Sequence, residues 1–223
     1  MRPMFKLNIF LYIILLFSLT ACTSMCSKSS SDGAGIDAVN TVDSSSNTQE
    51  ALDMTDTINV PKILVTYFSC TGNTRSVAEQ IKSTLKADIH EIKPETPYTS
   101  ADLNWRNNSS RSSKENNDPS SRPAISGSIE NIGQYDIIFL GYPIWWGQAP
   151  RIILTFLESY DFSGKTIVPF CTSGTSGVGT SASNLHKLCS DSVKWLSGSR
   201  LNINSSHSEI AAWINGLELG ITF

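Results

Sequence analysis

The sequence is short of charge and of histidine: 17% of its 223 residues are Asp, Glu, Lys or Arg, and three are His. It has no basic excess, with 17 basic against 20 acidic residues and a pI near 5.6, which excludes the usual electrostatic footprint of a nucleic-acid binder. It has no G-x-G-x-x-G and no Gly-Lys-Ser/Thr, so neither the dinucleotide fingerprint nor a Walker-type triphosphate loop is present. His90, His186 and His207 show no metal-ligand spacing. No apolar run reaches the roughly 18 residues expected of a membrane-spanning helix, and no internal repeat is evident. What is present, at 40% hydrophobic and 9% aromatic, is enough apolar material for a sizeable core.

Composition divides the chain into three pieces. Basic and acidic residues number two and none in 1–22, one and six in 23–60, and fourteen and fourteen in 61–223, so the net charge of -3 comes from the middle piece. In the first piece Arg2 and Lys6 precede an apolar run from Leu7 to Leu19, interrupted by Asn8 and Ser18, which fits a secretory signal over residues 1–21. It ends in Leu19-Thr20-Ala21-Cys22, which resembles the lipobox of bacterial lipoproteins. That resemblance implies acylation of Cys22 and a mature chain held by lipid at the bacterial cell envelope, outside the cytoplasmic membrane. Residues 22–60, rich in Ser, Thr, Asp, Gly and Asn and without period, read as a disordered acidic tether with a span of roughly 30 to 35 Å. Cys26 lies in it and has no assigned role.

From 61 to 223 short apolar runs alternate with helical patterns, as in βαβ units with a mostly parallel sheet. Strands are expected at Ile63–Phe68, Ile89–Ile92, Ile137–Leu140, Ile167–Phe170 and, most weakly, Leu201–Ile203. Helical faces are formed by Val77, Ala78, Ile81 and Leu85, by Ile152, Ile153, Phe156 and Leu157 behind Pro150, and by Leu185 with Leu188. A final helix is announced by Ser206 and Glu209 at capping-box spacing. The expected class is α/β, one doubly wound five-stranded parallel sheet preceded by the tether. Residues 94–134, polar and Pro-containing, are either a solvated crossover with a surface helix over about 100–117 or a lid.

Open α/β sheets bind ligands beyond the carboxyl ends of their strands. Three loops there, Ser69 to Thr74, Gly141 to Gly147 and Cys171 to Gly179, contain no Asp, Glu, Lys, Arg or His. The first, Ser69-Cys70-Thr71-Gly72-Asn73-Thr74, places hydroxyls, an amide and a glycine at the start of a helix, a cage suited to a terminal phosphate. The second, Gly141-Tyr142-Pro143-Ile144-Trp145-Trp146-Gly147, offers aromatic surfaces for a flat ring, and two adjacent tryptophans in such a loop do not both turn inward easily. The third, with Thr172-Ser173-Gly174-Thr175-Ser176-Gly177, permits close backbone approach to the edge of a heterocycle. Together they specify a flat, monophosphorylated cofactor.

With these three motifs in order, residues 61–220 resemble the flavodoxins, in particular a bacterial branch carrying Tyr-Pro-Ile-Trp-Trp-Gly. The resemblance implies strand order 2-1-3-4-5 and non-covalent FMN. It further implies that Ser69, Thr71, Gly72, Asn73 and Thr74 hold the phosphate, that Pro143 to Gly147 flank the ring, and that Ser173 to Gly177 meet its pyrimidine side. Two departures stand out. The third loop lacks the aromatic residue that commonly covers the outer flavin face, and the domain is formally neutral where carrier flavodoxins are acidic. A redox role with an unidentified donor and acceptor (protein, quinone or NAD(P)H) is therefore expected, either as a carrier or as a small-molecule reductase, beside a non-catalytic flavin- or partner-binding role. A cysteine-phosphatase loop would need C-x5-R, but Ser76 stands where the arginine should be, and Arg75 is one position short. Cys171 and Cys189 could pair with each other or with Cys70, or stay as buried thiols.

Overall fold

The computed structural model describes residues 60–223; the signal segment, Cys22, Cys26 and nearly all of the acidic linker lie outside the described residues. The elements are β1 (Ile63–Tyr67), α1 (Asn73–Leu85), β2 (Asp88–Glu91), β3 (Lys93–Pro94), α2 (Arg111–Asn117), β4 (Ile125–Ser126), β5 (Ile137–Pro143), α3 (Arg151–Glu158), β6 (Thr166–Thr172), β7 (Lys194–Trp195), β8 (Ser199–Arg200) and α4 (His207–Asn215). Short 3-10 helices lie at Ile132–Gln134 and Ser183–Leu188. The main sheet is parallel in the order β2-β1-β5-β6-β7, with β8 also on the outer edge of β6; this is the 2-1-3-4-5 order once the main strands are counted, and the fold is flavodoxin-like.

The two-residue period of the strands sorts the core into two layers. From β5, Ile138, Leu140 and Tyr142 pack with α3 residues Ile152, Ile153, Phe156 and Leu157. The alternate residues Ile137 and Phe139 pack with Val77, Ala78, Ile81 and Leu85 of α1 and with Ile210 and Ile214 of α4. Strands buried on both faces read as unbroken apolar runs, which is why β1, β5 and β6 were legible. The final helix starts as its sequence signature predicts: the Ser206 hydroxyl accepts from the Glu209 N–H, and the Glu209 carboxylate accepts from the Ser206 N–H at 2.7 Å.

Several expectations are corrected. Leu201–Ile203 does not form the fifth strand; the edge is filled earlier and in two pieces, β7 and β8. The cause lies across the ladder. Ile167 and Cys171 accept from the N–H groups of Leu196 and Leu201, so Pro169, on the same edge, has no N–H to continue the pairing. Five residues on the edge thus span four on β6, and Gly198 is pressed against Pro169, where a Cβ would stand 3.0 Å from the carbonyl oxygen. In the 94–134 segment the expected helix is present but shorter: α2 begins at Arg111 rather than near Ser100 and ends at Asn117, and the base of the segment is closed by the antiparallel pair of β3 and β4. Gly141, Tyr142, Pro143, Cys171 and Thr172, read as loop residues, are the last residues of β5 and β6. Pro150 is the N-cap of α3 rather than its first residue, and Leu185 and Leu188 lie on a 3-10 helix.

Candidate functional site

The carboxyl ends of β1 and β5 open into a cleft of about 400 Å³ lined by Ser69, Cys70, Thr71, Thr74, Pro143, Ile144, Trp145 and Trp146, and by Leu103, Trp105 and Ser112 from the 94–134 segment. The first loop turns through Gly72, whose φ of 88° is open to glycine and costly for other residues, and its N–H donates to the Ser69 hydroxyl at 3.1 Å. It then enters α1 with no side-chain cap and no acidic residue in the first turn. The uncapped N–H groups and helix dipole, with the Ser69, Thr71 and Thr74 hydroxyls beside them, make a donor set for an anion with no carboxylate to oppose it. Thr74 is pinned from behind: its buried hydroxyl shares a 2.8 Å hydrogen bond with Thr172.

The second loop is a tight turn. Trp145 and Gln148 exchange backbone hydrogen bonds of 3.0 and 2.9 Å, and the corner residues Trp146 and Gly147 both have positive φ, 47° and 75°. This is the geometry of a type I′ turn, in which glycine is at ease and a bulky tryptophan is strained. The two tryptophans part company as the sequence suggested. Trp145 turns inward, edge-on to Phe68 and Tyr98 at centroid distances of 5.6 and 5.5 Å, while Trp146 remains 42% exposed at the cleft. Tyr142 is corrected: it is fully buried with its hydroxyl 3.2 Å from that of Ser181, so it offers no stacking face. Burial pushes its phenol up to about 12.

Ser69, Cys70, Thr71, Thr74 and Pro143 to Trp146 are thus brought together. Gly72 and Asn73 belong to the same turn and Gly147 to the Trp146 corner, although none of the three borders the cleft. Thr172 is reached through Thr74, and Ser173, Gly174, Thr175, Ser176 and Gly177 lie outside the lining. In that loop the Ser173 hydroxyl donates to the Ser176 carbonyl, and Arg200 donates to the Gly174 carbonyl at 3.2 Å. Leu103, Trp105 and Ser112 escaped the sequence reading. The available signal was a lone tryptophan in an otherwise polar stretch.

Cys70, Cys171 and Cys189 are free thiols. Burial raises the Cys70 thiol to about 12, with Arg111 opposing and Glu115 adding to the effect, so it is protonated at neutral pH. A thiolate nucleophile is therefore not held there. Arg75, the one arginine close in sequence, is paired with Glu91 and donates to the Tyr67 hydroxyl at 3.2 Å.

The family model for flavodoxins matches residues 62–217. The chain belongs to the flavodoxin family. Among solved structures, a candidate flavoprotein from Bacteroides eggerthii is 49% identical to this flavodoxin-family chain, covering 71% of it and 99% of its own length, with a TM-score of 0.68. A second, from Bacteroides uniformis, is 42% identical with a TM-score of 0.66, covering 70% and 99%. A flavoprotein from Lactobacillus acidophilus, solved in complex with FMN, shares the fold at 23% identity and a TM-score of 0.52, covering 70% and 99%. No curated protein matches.

Proposed function

We propose that this flavodoxin-family protein binds FMN in the cleft between the β1–α1 turn and the Trp146 corner and moves electrons at the bacterial cell envelope. The observation that carries the reading is the cleft itself, in which an anion-binding turn and an exposed indole face one space. The donor set fits the group: hydroxyls and backbone N–H groups for a phosphate, an apolar wall for a ring, and no charged side chain on the three loops to compete. The Lactobacillus relative bound to FMN supports the choice of cofactor. When bound, FMN supplies one- or two-electron transfer through its ring system. The chain's part is to bind and orient. Ser69, Thr71 and Thr74 hold the phosphate with the first turn of α1, Thr172 fixes the rotamer of Thr74, and Trp145, locked by Phe68 and Tyr98, fixes the corner that presents Trp146. The protonated Cys70 thiol adds no charge.

The formal neutrality of residues 61–223 favours a second reading, reduction of a small acceptor such as a quinone at the expense of NAD(P)H, over the role of an acidic carrier. For location we propose lipid attachment at Cys22, on the strength of Leu19-Thr20-Ala21-Cys22. The decisive experiment titrates the purified full-length chain with FMN and follows quenching of flavin fluorescence. Failure to bind at micromolar FMN refutes the cofactor. Rapid NADH or NADPH oxidation by the loaded protein selects the reductase, and its absence the carrier. Labelled palmitate incorporated by the wild type and lost in Cys22→Ala tests the anchor.

A further inference from the structure

Five large apolar side chains are strongly exposed among the described residues, and the two tryptophans in that set, Trp105 at 63% and Trp146 at 42%, border the same cleft. A single exposed apolar side chain is ordinary, but two exposed indoles on the rim of one concave site suggest a ligand surface. The loop expected to cover the second face of the ring contains no aromatic residue from Cys171 to Gly179. We infer that Trp105, supplied from the segment between β2 and β5, is the second stacking face of the flavin site, standing in for the residue that the third loop lacks. The inference rests on the FMN reading above and adds to it a ring-contacting residue.

Trp105 is carried on a braced turn. The Asp102 carboxylate accepts from the Thr99 N–H and hydroxyl at 2.8 and 2.7 Å. The Asp102 carbonyl accepts from both the N–H and the hydroxyl of Ser112, at 3.0 and 2.6 Å, tying the turn to the start of α2. Helix α2 is in turn fixed from below. Arg111 pairs with Glu115 at 2.7 Å and lies 3.9 Å from the Tyr98 ring centroid, and Tyr98 donates to Glu115 at 2.5 Å. Tyr98 also packs against Trp145, so Trp105 and the Trp145–Trp146 corner stand on one connected scaffold. The Arg106 guanidinium lies over the Trp105 ring, 4.9 Å from its centroid, and backs one face of the indole. A cleft of about 400 Å³ is near the lower end for small-molecule sites, with room for one planar ligand rather than for two stacked ones.

The test compares FMN with riboflavin, which has the same ring and no phosphate. With the full-length protein, Trp105→Ala is expected to weaken both ligands by the same factor, about tenfold, as loss of a ring-stacking contact should. Trp105→Phe is expected to restore both to within about twofold. The visible circular dichroism of the bound flavin should change in Trp105→Ala and return in Trp105→Phe. Because the indole is exposed, the melting temperature of the unliganded variants should stay within about 2 °C of wild type. Wild type that binds FMN while Trp105→Ala binds it equally well, with the same dichroism, overturns the inference and leaves the cofactor reading standing. A loss confined to FMN, with riboflavin unaffected, also overturns it by placing the effect at the phosphate. Wild type that binds neither ligand defeats the FMN reading and this inference with it.

Discussion

Two glycine-to-alanine changes at the end of the sheet should cost stability for opposite reasons. Gly141 lies in β5 opposite Phe170 of β6. A Cβ there would stand 2.5 and 2.8 Å from ring atoms Cε2 and Cε1 of Phe170, and closer still to Cζ. The ring is fully buried, so it cannot swing out into solvent to make room. Gly141→Ala is therefore overpacking at the upper end of its usual range, about 3 kcal/mol, which for a domain of this size lowers the melting temperature by roughly 6 to 12 °C. Gly72 has open space around its Cα and a φ of 88°. Gly72→Ala pays only for the left-handed backbone, about 1 to 2 kcal/mol. The discriminating measurement is a double-mutant cycle with Phe170→Leu, read by thermal and denaturant unfolding. Trimming the ring should recover at least about 1 kcal/mol of the Gly141→Ala loss and none of the Gly72→Ala loss. A Gly141→Ala protein within about 1 kcal/mol of wild type, or equal coupling of both glycines to Phe170, refutes the packing argument.

Thr172→Val should destabilise the protein by about 1 to 3 kcal/mol, because it orphans the buried Thr74 hydroxyl, while Thr74→Val with Thr172→Val should recover much of that loss; additive losses would refute the pairing. Hydrogen bonds from Arg122, Thr99 and Ser120 hold Glu158, Asp102 and Asp118 below their ordinary carboxyl values of 4.5, 3.8 and 3.8. Groups depressed in the folded state stabilise it above the unfolded value and lose that contribution as pH falls through the folded one, so the melting temperature should be level near neutrality and drop below about pH 4. Equal melting temperatures at pH 7 and pH 3 would contradict this. Iodoacetamide should alkylate Cys70 at neutral pH at least about a hundredfold more slowly than a free cysteine, since its thiol lies near 12; a rate like that of free cysteine would show the thiol to be exposed and acidic.

Elements buried on both faces and elements with local capping signals were readable from the chain. The apolar runs of β1, β5 and β6, the α1 face and the Ser206–Glu209 cap needed no partner to be recognised. The broken edge was not readable, because its cause is Pro169, more than two dozen residues before the strand it interrupts. Within residues 94–134 the late start of the helix was hidden for a related reason. Their order comes from side-chain clamps, Thr99 on Asp102, Ser112 on the Asp102 carbonyl and Arg111 on Glu115, which have no periodicity.

The sequence alone determined the family, the parallel sheet and the position of the first two turns, because an uncharged Ser/Thr/Gly turn before a helix and a Trp-Trp-Gly corner act locally, through backbone N–H groups and tight-turn geometry. Only the tertiary structure decided which aromatic ring is available to a ligand. Tyr142 is consumed by the core, Trp145 is held in the cleft wall by its edge-on packing on Phe68 and Tyr98, and Trp105 is carried to the cleft from a distant polar segment. Exposure depends on which neighbours the fold brings, and no local pattern in the chain encodes that.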